Sequence, residues 1–482
     1  MSQHVTKSLM TRASALLAGR WVQDALRLVI FLWLARTMVE GYGLFIFAVG
    51  VSIIMRAPLY LDQFTVRELT ADHRSQGAVL AQMLRFKTLL GTLMLCGLTA
   101  FGLIKGWDFT QMVVVVVVSL NQIMESVANT VFSLHRTQGR QVQEFTLSSL
   151  AYLVGAAYGA LALWMHWHIV VVVLFLLIAS GLKIGLAMYS AEARGGLSQV
   201  WSRGPIWPRG HVWGLLAIMA ISLLGATFNN VQIFLLKQFR LLTEVAYYGV
   251  TTELAGGVAG LVSTLVIGGV LYPVLTQAVA RGPAALARAT QAFFWQMVAY
   301  GLAVAFFFAT LGADLMYLLY GPKYAPAEVP LQIMGLAVLF SFINNLLNHA
   351  LLAQGREKLV LAFYLVPVVL SVVLGLVTIP SLGPEGAALN LLACRVALSV
   401  LVVGYAQRRF GVLKWSRCKP VLIGALILAA GYAGFLWLKQ HFYLHRGLAL
   451  LCLGVYFWWL WRWTRGAGPD PAPEATAAGE GA

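Results

Sequence analysis

The chain has 482 residues, of which 60% are hydrophobic and only 11% are charged. A soluble domain is about 45–50% apolar and about 25% charged, and a disordered chain combines low hydrophobicity with high charge. Both classes are excluded. The net charge of +16 arises from 34 Lys and Arg against 18 Asp and Glu. On so apolar a chain it does not describe a nucleic-acid-binding surface, and no nucleic-acid partner is expected.

A membrane-crossing helix needs about 20 mostly apolar residues. That ruler predicts an all-α polytopic membrane protein with fourteen transmembrane helices. They fall at 13–36, 43–66, 79–104, 110–134, 146–165, 169–190, 212–236, 246–279, 289–320, 328–353, 359–380, 384–407, 420–438 and 446–463. The eighth and ninth are long enough to tilt or kink. The runs Val113–Val118 and Val170–Val173 lie inside longer apolar segments and read as helix. The alternation of barrel strands is absent. Residues 1–12 are polar and the first span is too long for a signal-peptide core, so no cleavable signal is expected. Cys96, Cys394, Cys418 and Cys452 form no spaced pair. Neither a disulfide nor a metal site is expected.

Fourteen spans put both termini on one side, taken as the cytoplasm. Loop cations then divide 22 inside to 7 outside, a strong positive-inside signal. The outer seven are Arg36, Lys105, Lys237, Arg240, Lys323, Lys439 and Arg446; Arg85 and Lys87 are counted inside. Five cations fall within spans: Arg20, Arg27, Arg56, Lys183 and Arg395. Each costs roughly 2.5–3.5 kcal/mol near a helix centre on insertion scales. Lys183 and Arg395 sit close enough to span ends to snorkel.

An internal repeat organises the chain. ANTVFSLHRTQGR at 128–140 matches NNLLNHALLAQGR at 344–356 in Asn129/Asn345 and in Gln138-Gly139-Arg140/Gln354-Gly355-Arg356. Tyr42-Gly43 and Tyr248-Gly249 likewise open the second and eighth spans. Residues 1–190 and 212–407 therefore read as two six-helix lobes with a pseudo-two-fold axis along the membrane normal and a central cavity. Residues 191–211 read as a cytoplasmic connector, 418–463 as an added helix pair, and 464–482 as a disordered cytoplasmic tail.

Polar residues inside the membrane are candidate functional groups. In the first span Arg20, Asp24 and Arg27 share a stripe about 60° wide. They form either a satisfied Arg-Asp-Arg network or a cavity wall with a surplus cation, to which Arg56 adds another. Guanidinium groups match phosphate oxygens bidentately, which suits a diphosphate or an acidic sugar. Asn121, Gln122 and Asn129, with Glu125, line one face of the fourth span; Asn344, Asn345 and Asn348 repeat the pattern in the tenth. Such amides serve sugar hydroxyls, or bond helix to helix. Asp24, Asp62, Glu125 and Glu253 are the deep acids, and a buried acid neutralised by a proton or sodium ion is a usual coupling device. Alternatively they pair with cations, Asp62 with Arg56 or Arg20. His166, His168, His441 and His445 on the outer side read as surface imidazoles. No outer loop has room for a catalytic domain, so no enzyme activity is expected and no cofactor beyond coupling H+ or Na+.

Several ordered stretches resemble a known family. Residues 318–334, LLYGPKYAPAEVPLQIM, resemble a conserved stretch of polysaccharide flippases, and Leu352-Ala353-Gln354-Gly355-Arg356 stands where those proteins carry a related segment. Leu271-Tyr272-Pro273 resembles the end of their eighth span. Leu34-Ala35-Arg36 with Tyr42-Gly43-Leu44-Phe45, then Arg67-Glu68-Leu69, resembles their first turn. Gly383-Pro384-Glu385-Gly386-Ala387-Ala388 resembles the opening of their twelfth span. The resemblance is to Wzx-type lipid-linked oligosaccharide flippases of the MOP superfamily and covers residues 10–410. It implies a two-lobed, V-shaped, monomeric exporter in the bacterial inner membrane, working by alternating access. The implied substrate is an undecaprenyl-diphosphate-linked glycan for surface polysaccharide, with polysaccharide polymerase or assembly proteins as partners. Fourteen spans are closer to MurJ-type lipid II flippases, in which arginines of the first and second helices hold the diphosphate. Arg20, Arg27 and Arg56 match that part. A cation-coupled multidrug exporter and a membrane glycosyltransferase or polymerase are the remaining alternatives.

Overall fold

The computed structural model describes residues 22–62, 65–66, 69, 76–138, 140–189, 212–262, 271–413, 415–439 and 444–466. The predicted connector and the tail beyond 466 lie outside them. The described residues are almost wholly helical and contain no strand. This is the expected consequence of the bilayer, where every backbone N–H and C=O must be satisfied within the segment.

The first helix, α1, covers 22–37. It is followed by α2 (Val39–Arg56), α3 (Gln76–Ile104), α4 (Phe109–Thr137), α5 (Gln141–Trp164) and α6 (Ile169–Tyr189). Then come α7 (Val212–Phe239), α8 (Leu242–Val262), α9 (Tyr272–Ala280), α10 (Pro283–Thr310) and α11 (Gly312–Tyr320). The last are α12 (Glu328–Leu352), α13 (Glu357–Phe410), α14 (Trp415–Leu438) and α15 (Leu444–Gly466). Among the described residues, eleven helical stretches are long and apolar enough to cross a membrane by length and composition. Large apolar side chains point outward along them, such as Leu93, Val377 and Leu426, at 68%, 69% and 69% exposure. Contiguous exposed apolar surface of that kind belongs in lipid.

Two predicted spans, the eleventh and twelfth, are joined in α13. At 54 residues it would reach about 80 Å if straight, far beyond a hydrocarbon core of about 30 Å. It breaks at Gly383 (φ 57, ψ −128), flanked by Pro380 and Pro384. The break frees backbone carbonyls, and Arg240 takes them: its Nη2 donates to Pro380 and Ser381 at 2.7 and 3.0 Å. Arg36 does the same for α11, donating from Nε to the Leu319 carbonyl at 2.6 Å and from Nη2 to that of Leu318. Cations are favourable at helix C-termini. The ninth predicted span is likewise made of two helices, α10 and α11.

By contact density the chain gathers into two compact units. One comprises Met1–Val250, Leu318–Ala327 and Glu357–Cys394; the other comprises Thr251–Tyr317, Glu328–Arg356 and Arg395–Ala482. Within the first unit, the start of α2 crosses the start of α8. A Cβ on Gly43 would collide with the Leu242 carbonyl oxygen, and one on Gly249 would fall 2.6 Å from Ile46. The two Tyr-Gly pairs of the repeat thus supply the small residues that close helix contact requires. Tyr42 and Tyr248 are fully buried beside them. Within the second unit, α14 and α15 pack on α10 through Ala299, Ala303, Phe306, Leu428, Phe435, Ala449 and Tyr456. The Tyr456 hydroxyl donates to the Ala299 carbonyl at 2.8 Å.

Candidate functional site

A polar band runs through the first unit, and α4 carries it. Asp108 caps the helix by accepting the Gln111 N–H at 3.2 Å. Three turns on, one buried face presents Asn121, Gln122, Glu125 and Ser126, with Asn129 half-buried below them.

Three cations converge on that face. Arg56 ends α2 and donates from Nη1 to Gln122 Oε1 at 2.8 Å; its guanidinium carbon lies 5.5 Å from the Tyr60 ring centroid. Lys183 on α6 places Nζ 2.6 Å from Glu125 Oε2 and 3.2 Å from Asn129 Oδ1. Tyr152 on α5 donates its hydroxyl to the other Glu125 oxygen at 3.0 Å. Lys87 on α3 reaches Asp62 Oδ1 at 2.8 Å and the Ser126 carbonyl at 3.5 Å. The Ser126 hydroxyl donates in turn to the Leu59 carbonyl at 3.0 Å.

The charges do not cancel. Each lysine holds one carboxylate: Lys87 holds Asp62, and Lys183 holds Glu125. Arg56 has only a neutral amide and a ring, and among the described residues no carboxylate lies within ion-pair distance of it. A guanidinium has five N–H donors, so Arg56 retains donors for an anion. Arg27 is half-exposed on α1 and donates to Asp24 at 3.2 Å. Arg20 lies outside the described residues.

The remaining candidates are dispersed. In the second unit, Asn344 donates to the Arg395 carbonyl at 3.1 Å and accepts from the Ser399 hydroxyl at 2.8 Å, so it joins α12 to α13. Arg395 donates back to the Ala337 carbonyl at 3.1 Å. Asn348 is buried and Asn345 half-buried on α12, and Glu253 is half-buried on α8. His441 lies outside the described residues.

Three readings of the sequence need correction. Lys87 is not a loop cation: it lies within α3 and has no exposed surface. The predicted span 79–104 already contains it, and the loop count assigns it to the cytoplasmic side only because it lies near that end. Lys183 does not snorkel but is buried in its pair with Glu125. Asp62 pairs with Lys87 rather than with Arg56 or Arg20. The deep acid Asp62 was the available signal, since a carboxylate in a membrane needs a counter-charge. Tyr152 and Ser126 carried no signal of their own.

The helices together define the fold of MOP-superfamily transporters, MurJ-like and MATE-like. The lipid II flippase MurJ in its inward closed conformation superposes with a TM-score of 0.69 at 10% identity, over 93% of this chain and 99% of that one. An inward-facing multidrug resistance MATE family transporter gives 0.61 at 14% identity, over 81% of this chain and 95% of that one. A MOP superfamily transporter from Pyrococcus furiosus, described for the reverse polarity of its binding pocket, gives 0.53 at 14% identity, over 85% and 96%. At these identities the likeness is one of fold. No family model and no curated protein matches the chain by sequence.

Proposed function

We propose that the chain is a flippase for a lipid-linked oligosaccharide of the Wzx type, moving an undecaprenyl-diphosphate-linked glycan from the cytoplasmic to the outer leaflet for surface polysaccharide. The carrying observation is Arg56, a guanidinium set in a band where both lysines are already neutralised. An uncompensated cation attracts an anionic head group and repels cationic drugs, which favours this substrate over that of a multidrug exporter. Fourteen spans in two six-helix lobes, with an added pair, form the proposed frame. Arg20, Arg27 and Arg56 neutralise the diphosphate, and Asn121, Asn345 and Asn348 meet sugar hydroxyls. The prenyl tail stays in lipid while alternating access turns the head group outward. A proton or sodium gradient, acting through Asp24, Asp62, Glu125 or Glu253, resets the protein. It acts as a monomer in the bacterial inner membrane, both termini cytoplasmic, alongside polysaccharide polymerase or assembly proteins.

A second reading, a lipid II flippase, is favoured by the fold match that covers 93% of the chain. Both take a prenyl diphosphate, so the glycan separates them. Reconstituted protein should translocate labelled undecaprenyl-diphosphate glycan, and Arg56→Gln should reduce that translocation about tenfold or more. Translocation of lipid II alone would select the second reading; translocation of neither would remove both.

A further inference from the structure

Three of the seven cations on the side that the loop count makes outer have structural tasks. Arg36 and Arg240 cap broken helices, and Arg446 holds Asp314 through two bonds of 2.8 and 2.5 Å. Lys105 and Lys237 do neither. They meet at one pocket of about 270 Å³ in the first unit.

Its floor is four aromatic rings. Trp107 lies edge-on to Phe47 and Phe101, with centroids 5.6 and 5.8 Å apart, and Phe234 closes the group at 6.3 Å from Phe47 and 6.2 Å from Phe101. The tight turn between α3 and α4 seats the indole. Gly106 takes the left-handed φ of 66°, and the Trp107 N–H donates to the Gly102 carbonyl at 3.0 Å. A Cβ on Gly102 would meet the indole at 2.6 Å. The rim is cationic and amidic: Lys105, Lys237, Gln111 and Gln238. No acid lines it. The neighbouring Asp108 is occupied as the α4 cap.

We infer that this pocket is a binding subsite for an acidic sugar, a pyranose bearing phosphate or carboxylate. Two ammonium groups supply the anion's counter-charge as point charges. Two side-chain amides both donate and accept, as ring hydroxyls require. An aromatic floor offers the flat apolar contact that one face of a sugar ring can cover. The volume falls just below the roughly 300–1,000 Å³ of drug-sized sites, which suits one ring. The subsite deepens the flippase reading and rests on it only for the sugar's origin, the translocated head group.

The test is saturation-transfer NMR on the full chain in nanodiscs of neutral lipid, with glucose 1-phosphate, glucuronate, glucose and inorganic phosphate as probes. Glucose 1-phosphate and glucuronate should bind at least tenfold more tightly than glucose or phosphate. Lys105→Gln with Lys237→Gln should weaken them at least tenfold, as should Trp107→Ala, while Trp107→Phe should keep most of the binding and report an intact fold. Equal signals from wild type and these variants would overturn the subsite. So would phosphate binding as strongly as the sugar phosphate, which reads surface charge alone. Loss of sugar binding in nanodiscs rich in phosphatidylglycerol would assign the pocket to a phospholipid head group instead. No transport is measured, so a failed translocation assay leaves this result standing, and the reverse holds.

Discussion

Lys87 Nζ lies 2.8 Å from Asp62 Oδ1, with the lysine side chain wholly buried and the aspartate 13% exposed. Removing one partner of a buried pair strands the other charge, at about 3–5 kcal/mol. Lys87→Met should therefore lower the thermal unfolding midpoint of purified protein sharply, as should Asp62→Leu. The double variant should recover most of the loss, because two apolar residues leave no stranded charge. A double variant no better than Lys87→Met alone would mean that Lys87 acts through Ser126 rather than through Asp62.

Among the described residues, Arg56 differs from both lysines in having no carboxylate to strand. Its removal should spare stability and strike function. Charge-assisted hydrogen bonds are worth about 1.5–3 kcal/mol, so Arg56→Gln should reduce translocation of a diphosphate-linked glycan about tenfold or more. Arg56→Lys keeps the charge but loses the planar fork and should fall between. Thermal midpoints of both should stay near wild type. A large drop in midpoint would place Arg56 with the structural ion pairs.

The helices were legible because lipid demands long apolar runs, and nothing soluble competes with that pattern. Pro380, Gly383 and Pro384 likewise announced a break in α13, each being hostile to helix continuation. The pairing of charges was less open. Glu125 and Lys183 are 58 positions apart and meet only because α4, α5 and α6 pack together. Amide roles were hidden for the same reason: Gln122 faces Arg56, and Asn344 faces the Arg395 backbone, neither of which a helical wheel shows. The repeat was visible as Tyr-Gly, but its meaning, a close helix crossing, required the partner helix.

The Gly383 break should be sensitive to two changes for different reasons. An L-residue at φ 57, ψ −128 is strained by about 1–3 kcal/mol, and a Cβ there also collides with the Glu244 carboxylate. Gly383→Ala should lower the unfolding midpoint, and Glu244→Ala should recover only the steric part. Arg240→Gln should destabilise separately by leaving the Pro380 and Ser381 carbonyls unsatisfied, at about 1–3 kcal/mol each. An unchanged midpoint in Arg240→Gln would mean that water reaches those carbonyls.

The two glycines of the helix crossing should not be equivalent. Gly43 faces the backbone oxygen of Leu242, which moves only if α8 moves. Gly249 faces the side chain of Ile46, which can rotate or be shortened. Gly43→Ala should therefore reduce the yield of monodisperse protein severely, with no single side-chain truncation restoring it. Gly249→Ala should be milder, by about 1–3 kcal/mol as for an overpacked core, and Ile46→Ala should rescue it in the double variant. Thermal midpoints of the four proteins decide the matter. Equal losses at both glycines, or a failed rescue by Ile46→Ala, would show that α2 and α8 do not hold this crossing as a close backbone contact.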